Sequence, residues 1–322
     1  MIVVPALHPA REITALIERL EPGQVHRAVT TLDAVGGKAI NVARFVRQMG
    51  SPVRLIVLAD NALAAMLRED RDLGRGDSPP LELVPSLVPS RTDLTLLDGS
   101  GSATVINGTA ADPGRAAVAD AVARTTDALA AGDVLVLAGS LPLGTSGVLD
   151  GLIRAARARG ALVIVDASGE WLVEALAASP DVVKINEHEA RAIERSLAPV
   201  AHRDAEGSVR TPRRVGGADR PPWLSGAPIL AITDGARGLR AWIGPERWRI
   251  LPPPDQPVLS PVGAGDAVTA GLALALGAGR DPIDALVLGT AMAAASLRHL
   301  ECRLDPGDAA ALVPAVVVEP LR

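Results

Sequence analysis

Six short runs of uninterrupted apolar residues punctuate the chain: Ile2-Val3-Val4, Leu55 to Leu58, Val134 to Leu137, Leu162 to Val165, Val182-Val183 and Ile229 to Ile232. Apolarity that does not alternate belongs to strands covered on both faces, as in a parallel sheet packed between helices. Stretches of helical character lie between these runs. Residues 39–49 follow a glycine pair and stop at Gly50, 113–131 open with Pro113 behind Asp112, 146–159 stop at Gly160, and 187–197 are rich in Glu, Ala and Arg. Proline at a helix start and glycine just past its end are ordinary helix punctuation. The βαβα order predicts an α/β sandwich with helices on both faces of a mainly parallel sheet.

Two stretches break that order. Residues 24–33 (QVHRAVTTLD) and 90–107 read as exposed strands, the second as a hairpin around Asp98-Gly99-Ser100-Gly101. Together they predict a small separate sheet placed as a lid. Residues 199–227, dense in Pro, Gly, Arg and Asp and without a period, read as a long irregular surface loop.

Composition narrows the field. The chain of 322 residues carries a formal charge of −5, with Lys+Arg 32 against Asp+Glu 37, which gives no electrostatic reason for a nucleic acid or an anionic membrane as partner. Hydrophobic residues make up 48%, yet there is one Phe and no Tyr, so aliphatic side chains must fill the core. Cys302 is the single cysteine, so no intrachain disulfide forms, and the five histidines show no metal-ligand spacing. The start, MIVVPALHPA, makes a poor signal peptide, and the apolar runs near 267–278 and 285–297 are shorter than the roughly 20 residues a bilayer requires. A cytoplasmic protein is expected. Only two lysines occur, Lys38 and Lys184, and both lie in the motifs below.

The chemistry centres on Gly263-Ala264-Gly265-Asp266. A glycine turn that opens a helix gathers backbone N–H groups and the positive end of the helix dipole, a place for an anion. A carboxylate beside a stored phosphate would only repel it. The arrangement makes sense if Asp266 takes the proton from a hydroxyl attacking phosphorus, with 263–265 as the anion hole. Two other readings exist. One is a dinucleotide fingerprint, opposed by Val268 at the third glycine position and by the short chain that follows. The other is a plain helix start with Asp266 in its first turn.

Four further stretches accompany it. Gly36-Gly37-Lys38-Ala39-Ile40-Asn41 is a glycine turn opening a helix, and Gly139-Ser140-Leu141-Pro142 follows a strand directly. Lys184-Ile185-Asn186-Glu187-His188-Glu189 offers a cation for phosphates, and Asn186 and Glu189 at i,i+3 could hold Mg²⁺ through water. Thr233 to Gly238 forms a tight turn after an apolar run.

In order and spacing this set resembles the ribokinase-like (PfkB) family of carbohydrate kinases over essentially the whole chain. The resemblance is nearest to its sugar-phosphate branch of 1-phosphofructokinases and tagatose-6-phosphate kinases. His8-Pro9-Ala10, Ser90-Arg91 and Asp166 to Glu170 support that branch. The resemblance implies a ribokinase-like three-layer α/β/α sandwich, a single kinase domain over 1–322 with lid strands near 10–34 and 88–108, and lid-mediated pairing of two subunits. It implies that Asp266 is the catalytic base and that Gly263, Ala264 and Gly265 stabilise the transferred phosphoryl group. Lys184 would meet the nucleotide phosphates, Asn186 and Glu189 would organise Mg²⁺, and Thr233, Gly235 and Gly238 would line the ATP site, with the helix 285–299 near adenine. Gly37, Lys38 and Asn41 would border the sugar, and Arg91 would reach a phosphate already on the acceptor.

The departures gather on the acceptor side. The branch's aspartate for sugar hydroxyls is Glu12 here, preceded by Arg11. Ala39 replaces a glycine, Ile185 a proline, and Leu58-Ala59-Asp60-Asn61 a glycine-rich run. The reading is therefore ATP-dependent phosphoryl transfer to a ketohexose phosphate. The alternatives are a kinase of an unphosphorylated sugar or nucleoside, and a catalytically silent binding protein of the same fold.

Overall fold

The computed structural model describes residues 1–74, 81–99, 101–142, 144–197 and 227–321. The irregular stretch expected at 199–227 lies, all but Ala227, outside the described residues. Seven strands run parallel in one sheet: β1 (Ile2–Ala6), β4 (Val53–Ala59), β5 (Glu82–Pro85), β8 (Val134–Ala138), β9 (Leu162–Asp166), β10 (Val182–Asn186) and β11 (Ile229–Thr233). An antiparallel extension, β12 (Leu239–Ile243), β13 (Glu246–Leu251) and β14 (Val317–Pro320), completes ten strands in the order β14-β13-β12-β11-β10-β9-β8-β1-β4-β5.

The continuous apolar runs have the cause expected of them. Alternate residues of one strand feed two different cores: Val4, Leu55, Val134 and Val136 face one, and Val3, Ile56, Leu135 and Leu137 the other. The first core is closed by α1 (Lys38–Gln48), α2 (Asn61–Glu69), α7 (Ala264–Gly277), α8 (Pro282–Ser296) and α9 (Pro306–Leu312). The second is closed by α3 (Arg115–Ala128), α4 (Val148–Ala158), α5 (Gly169–Ala177) and α6 (Glu187–Leu197). Three layers result, the sandwich read from the sequence. No described helix is long and apolar enough to cross a membrane.

A second sheet stands apart, β3 (Thr30–Gly36), β2 (Ala10–Ile17), β6 (Arg91–Asp98) and β7 (Ala103–Ile106), in that order. Its hairpin β6–β7 falls where the sequence placed it. The other strand does not. Residues 24–29 are irregular, and β3 begins at Thr30 and runs to Gly36, straight into the turn that opens α1. Its register explains the shift: Ala10 pairs with Gly36 and Leu16 with Thr30, so β3 ends where β2 starts. The helix read as 113–131 begins later, at Arg115, because the Asp112 side chain accepts from the Gly114 amide at 2.8 Å and spends that residue on a turn. It ends at Ala128, where Leu129 turns extended.

The run Leu58-Ala59-Asp60-Asn61, a departure from the family pattern, has a local purpose. Asp60 caps α2 by accepting from the Ala62 and Leu63 amides at 2.7 and 3.1 Å, and it also accepts from the Ser90 amide. It therefore ties the start of β6, and Arg91 with it, to the main body.

Candidate active site

The carboxyl ends of the parallel strands form one rim, the usual place for ligands in such sheets. Asp166 ends β9, Asn186 ends β10 and Thr233 ends β11. Above the rim, between it and the small sheet, lies a cleft of about 360 Å³. Glu12, Gly37, Lys38, Asn41, Arg91, Glu189 and Asp266 all line it, so residues up to 254 positions apart in sequence meet there.

Asp266 stands in the first turn of α7 and is 7% exposed. Asn41 Nδ2 donates to its Oδ2 at 3.0 Å. Asn41 is itself fixed, because Arg44 Nη1 donates to Asn41 Oδ1 at 3.1 Å while Arg44 Nη2 holds Val35 O and Asp70. Burial, joined by the nearby charge of Asp166, pushes the Asp266 carboxyl up to about 7, against the pull of Lys184, Lys38 and the Asn41 hydrogen bond. A carboxyl poised near neutrality suits a general base.

The helix start beside it keeps donors free. Gly263 caps α7 in the left-handed region at φ 82°, and the first intrahelical bond runs from the Ala267 amide to Gly263 O at 2.9 Å. Among the described residues, the amides of Gly263, Gly265 and Asp266 have no acceptor, and that of Ala264 reaches only Pro261 O at 3.4 Å. Gly263 is required by its backbone and its neighbour, and Gly265 leaves room for the Lys184 ammonium. A Cβ at Gly263 would sit 2.6 Å from Cys302 Sγ, and one at Gly265 would sit 2.9 Å from Lys184 Nζ.

Asp166 emerges as a centre that motif reading had left without a role. It is fully buried. Its Oδ1 accepts from Lys38 Nζ at 2.9 Å, and its Oδ2 accepts from Lys184 Nζ at 2.8 Å and Thr269 Oγ1 at 2.7 Å. The chain's two lysines thus share one carboxylate. Burial alone would raise the Asp166 pKa, but the two ammonium groups outweigh it and hold the carboxyl well below its usual range. Lys38 is held the other way: burial opposes its charge, yet Asp166 and Glu189, whose Oε1 it reaches at 3.0 Å, push its pKa up.

Asn186 and Glu189 form a capping box on α6. The Glu189 amide donates to Asn186 Oδ1 and the Asn186 amide donates to Glu189 Oε2, each at 2.8 Å. Each Glu189 oxygen thus accepts one hydrogen bond inside the protein, Oε1 from Lys38 and Oε2 from the Asn186 amide, while the residue lines the cleft. Among the described residues no three His, Cys, Asp or Glu side chains form a metal cage. The donor set suits an ion held by water and by ligand phosphates with one carboxylate behind it, the habit of Mg²⁺.

Not every expected residue reaches the cleft. Gly263, Ala264, Gly265, Lys184 and Asn186 do not line it themselves: 263–265 lie between Val262 and Asp266, which do, Lys184 shares Asp166 with the cleft residue Lys38, and the Asn186 amide bonds Glu189. Thr233, Gly235 and Gly238 do not line it. Thr233 lies beside Asn186 in register, and its hydroxyl donates to Ile185 O at 3.3 Å. Gly238 has a local explanation, since its φ is 82° and a Cβ there would fall 2.1 Å from Ile250 O. Glu12 does not hang free over the cleft. Its Oε1 accepts from the Gly37 amide at 2.7 Å, and its carboxyl occupies the space a side chain at Gly36 would need. Arg91 lines the cleft while pairing with Asp93 at 2.9 Å.

Known proteins resemble this chain over most of its length. Residues 10–306 match the profile described as pfkB family carbohydrate kinase. The 1-phosphofructokinase of Rhodobacter capsulatus is 34% identical, covering 99% of this chain and 98% of that one, and the 1-phosphofructokinase of Xanthomonas campestris pv. campestris is 32% identical over 97% and 93%. Phosphofructokinase-2 from Escherichia coli, solved in complex with substrates and products, superposes with a TM-score of 0.78 at 22% identity, covering 97% of this chain and 98% of that one. Family match, full-length identity and shared architecture agree: this chain belongs to the pfkB family of carbohydrate kinases and has their ribokinase-like fold.

Proposed function

We propose that this carbohydrate kinase transfers the γ-phosphoryl group of ATP to a hydroxyl of a ketohexose phosphate, with fructose 1-phosphate the foremost acceptor. The observation that carries this is the pairing, at one helix start, of a buried carboxyl near neutrality with unpaired backbone amides. Asp266 takes the hydroxyl proton as the acceptor oxygen forms its bond to phosphorus and the bond to the ADP oxygen breaks. The amides of 263–265 receive the charge on the migrating group. Lys184 and Lys38, anchored on Asp166, stand on the donor and acceptor sides. The 1-phosphofructokinase name of the full-length relatives supports the acceptor class.

Charge balance favours Mg²⁺ as a companion of the nucleotide. Lys38 and Lys184 face Asp166, Glu189 and Asp266, so the cluster carries no spare positive charge for a polyphosphate. Glu189, with Asn186 fixing it, would hold the ion through water, and the ion when bound supplies the missing neutralisation of the phosphate oxygens. Thr233, Gly235 and Gly238 belong to the neighbouring donor side in this reading. The small sheet acts as a lid that excludes water, and its outer face, carrying Ile106 at 54% exposure, pairs with a second copy.

A screen of ADP release with fructose 1-phosphate, fructose 6-phosphate, tagatose 6-phosphate, fructose and a nucleoside tests the reading. Turnover is expected on a ketohexose phosphate, and none on any acceptor would overturn it. One observation favours a second acceptor class: Arg91 already spends charge on Asp93. Faster turnover of free fructose or of the nucleoside than of any phosphate would select it.

A further inference from the structure

Most polar side chains lining the active cleft are already engaged with the protein itself. Glu12 accepts from the Gly37 amide, Lys38 binds Asp166 and Glu189, Asn41 holds Asp266, and Arg91 pairs with Asp93. Among the described residues, only Asn107 and Ser168 line the cleft with side chains that make no hydrogen bond within the protein. Asn107 is exposed, so its carboxamide is open to whatever enters.

Strand register sets where that carboxamide stands. β6 and β7 pair Leu94 with Ile106 and Thr95 with Val105, so Asn107 falls opposite Asp93, one step beyond the end of the ladder. β2 and β6 pair Glu12 with Asp93. Glu12, Asp93 and Asn107 therefore form one row across the face of the small sheet that looks into the cleft, about 10 Å long at two strand spacings. Alternation along β7 agrees: Val105 and Asn107 line the cleft, and Ile106 between them does not. The backbone beside Asn107 is fixed although β7 is an edge strand. The Gly108 amide donates to Asp93 Oδ1 at 2.9 Å, and a Cβ at Gly108 would fall 2.1 Å from Thr92 O.

A carboxamide offers an acceptor oxygen and a donor nitrogen together. A sugar hydroxyl also accepts and donates, so it satisfies both atoms, whereas an ionised phosphate only accepts and would set its lone pairs against Oδ1. The reacting hydroxyl belongs to Asp266, which leaves Asn107 one of the others. We infer that Asn107 is a specificity-determining residue that binds a non-reacting hydroxyl of the acceptor from the edge of the small sheet. This rests on the sugar-kinase reading above and adds to it a contact by which the small sheet recognises the sugar itself.

The test compares the full-length wild type with Asn107→Ala on fructose 1-phosphate and on analogues that each lack one non-reacting ring hydroxyl. Expected for Asn107→Ala is a rise of about 5- to 50-fold in the KM for fructose 1-phosphate, with the nucleotide KM within about threefold. For the wild type, one analogue should show a similar loss, and with that analogue the variant should add little more, because the removed hydroxyl and the removed carboxamide are the two ends of one contact. Calorimetric affinity for free fructose should fall by a similar factor, which a contact to the phosphate would not produce. Asn107→Ser serves in place of the Ala variant if the latter has a lowered melting temperature. The same penalty on every analogue would show that no hydroxyl is read and reduce Asn107 to a structural role. An unchanged KM for fructose 1-phosphate in the variant would overturn the inference alone and leave the acceptor reading standing. If the wild type turns over free fructose and no phosphate, the phosphate reading falls, and the same comparison with deoxyfructoses decides Asn107. No turnover on any acceptor overturns both.

Discussion

Asn41 donates to Asp266 across 3.0 Å and so joins the first turn of α1 to the first turn of α7, 225 residues further on. The bond favours the charged carboxylate, while burial and Asp166 oppose it. The balance leaves Asp266 near neutrality, where it can both accept a proton and give it up.

Replacing Asp266 with Asn keeps the shape and removes the base. Turnover is expected to fall by about 10²- to 10⁴-fold with nucleotide affinity nearly unchanged. Single-turnover kinetics and a nucleotide titration check this, and a fully active variant would deny Asp266 its role.

The rate should depend on pH with an acidic limb centred near 7, since Asp266 works deprotonated and its carboxyl is raised to about 7. Asn41→Ala removes a contact that favours the charged form, so the limb should move to higher pH. A limb that stays in place would show that another group sets it.

The same shift has a cost in stability, and its sign is fixed by linkage. A carboxyl whose folded pKa lies above its unfolded value stabilises the fold at low pH, and that contribution is lost as pH rises through about 7. Asp266→Asn should therefore gain stability relative to wild type between pH 5 and pH 8. Urea denaturation at the two pH values measures the gain.

Asp166 has the opposite sign. Its pKa is lowered, so it stabilises the fold above the ordinary carboxylate range and loses that contribution as pH falls. Asp166→Ala leaves two lysines without their shared partner, and an uncompensated buried charge costs about 3–5 kcal/mol. Chemical denaturation at pH 7 should show a loss of that order. Little or no change would mean that the lysines find other partners.

Gly263→Ala combines a left-handed φ of 82° with a Cβ 2.6 Å from Cys302 Sγ. The backbone strain alone is worth about 1–2 kcal/mol. The variant should lose both melting temperature and activity, and adding Cys302→Ala should restore part of the melting temperature by removing the contact. No restoration would assign the whole defect to the backbone.

The layers of this fold were legible in the sequence because their cause is local. Uninterrupted runs such as Val134 to Leu137 are apolar on both faces, and that is a property of adjacent residues. The glycine turns before α1 and α7 are equally local, so Gly37 and Gly263 could be read as helix starts beside Lys38 and Asp266. Strand β3 was misplaced by several residues because its register is set by pairing with β2, and a polar edge strand has little pattern of its own. Other relations joined distant strand ends: one carboxylate, Asp166, shared by the chain's two lysines, and Glu12 spent on the Gly36-Gly37 turn. No window of sequence contains them. Local periodicity writes the elements into the chain, whereas the partner of a buried charge is chosen only when the sheet order brings β9 between β8 and β10.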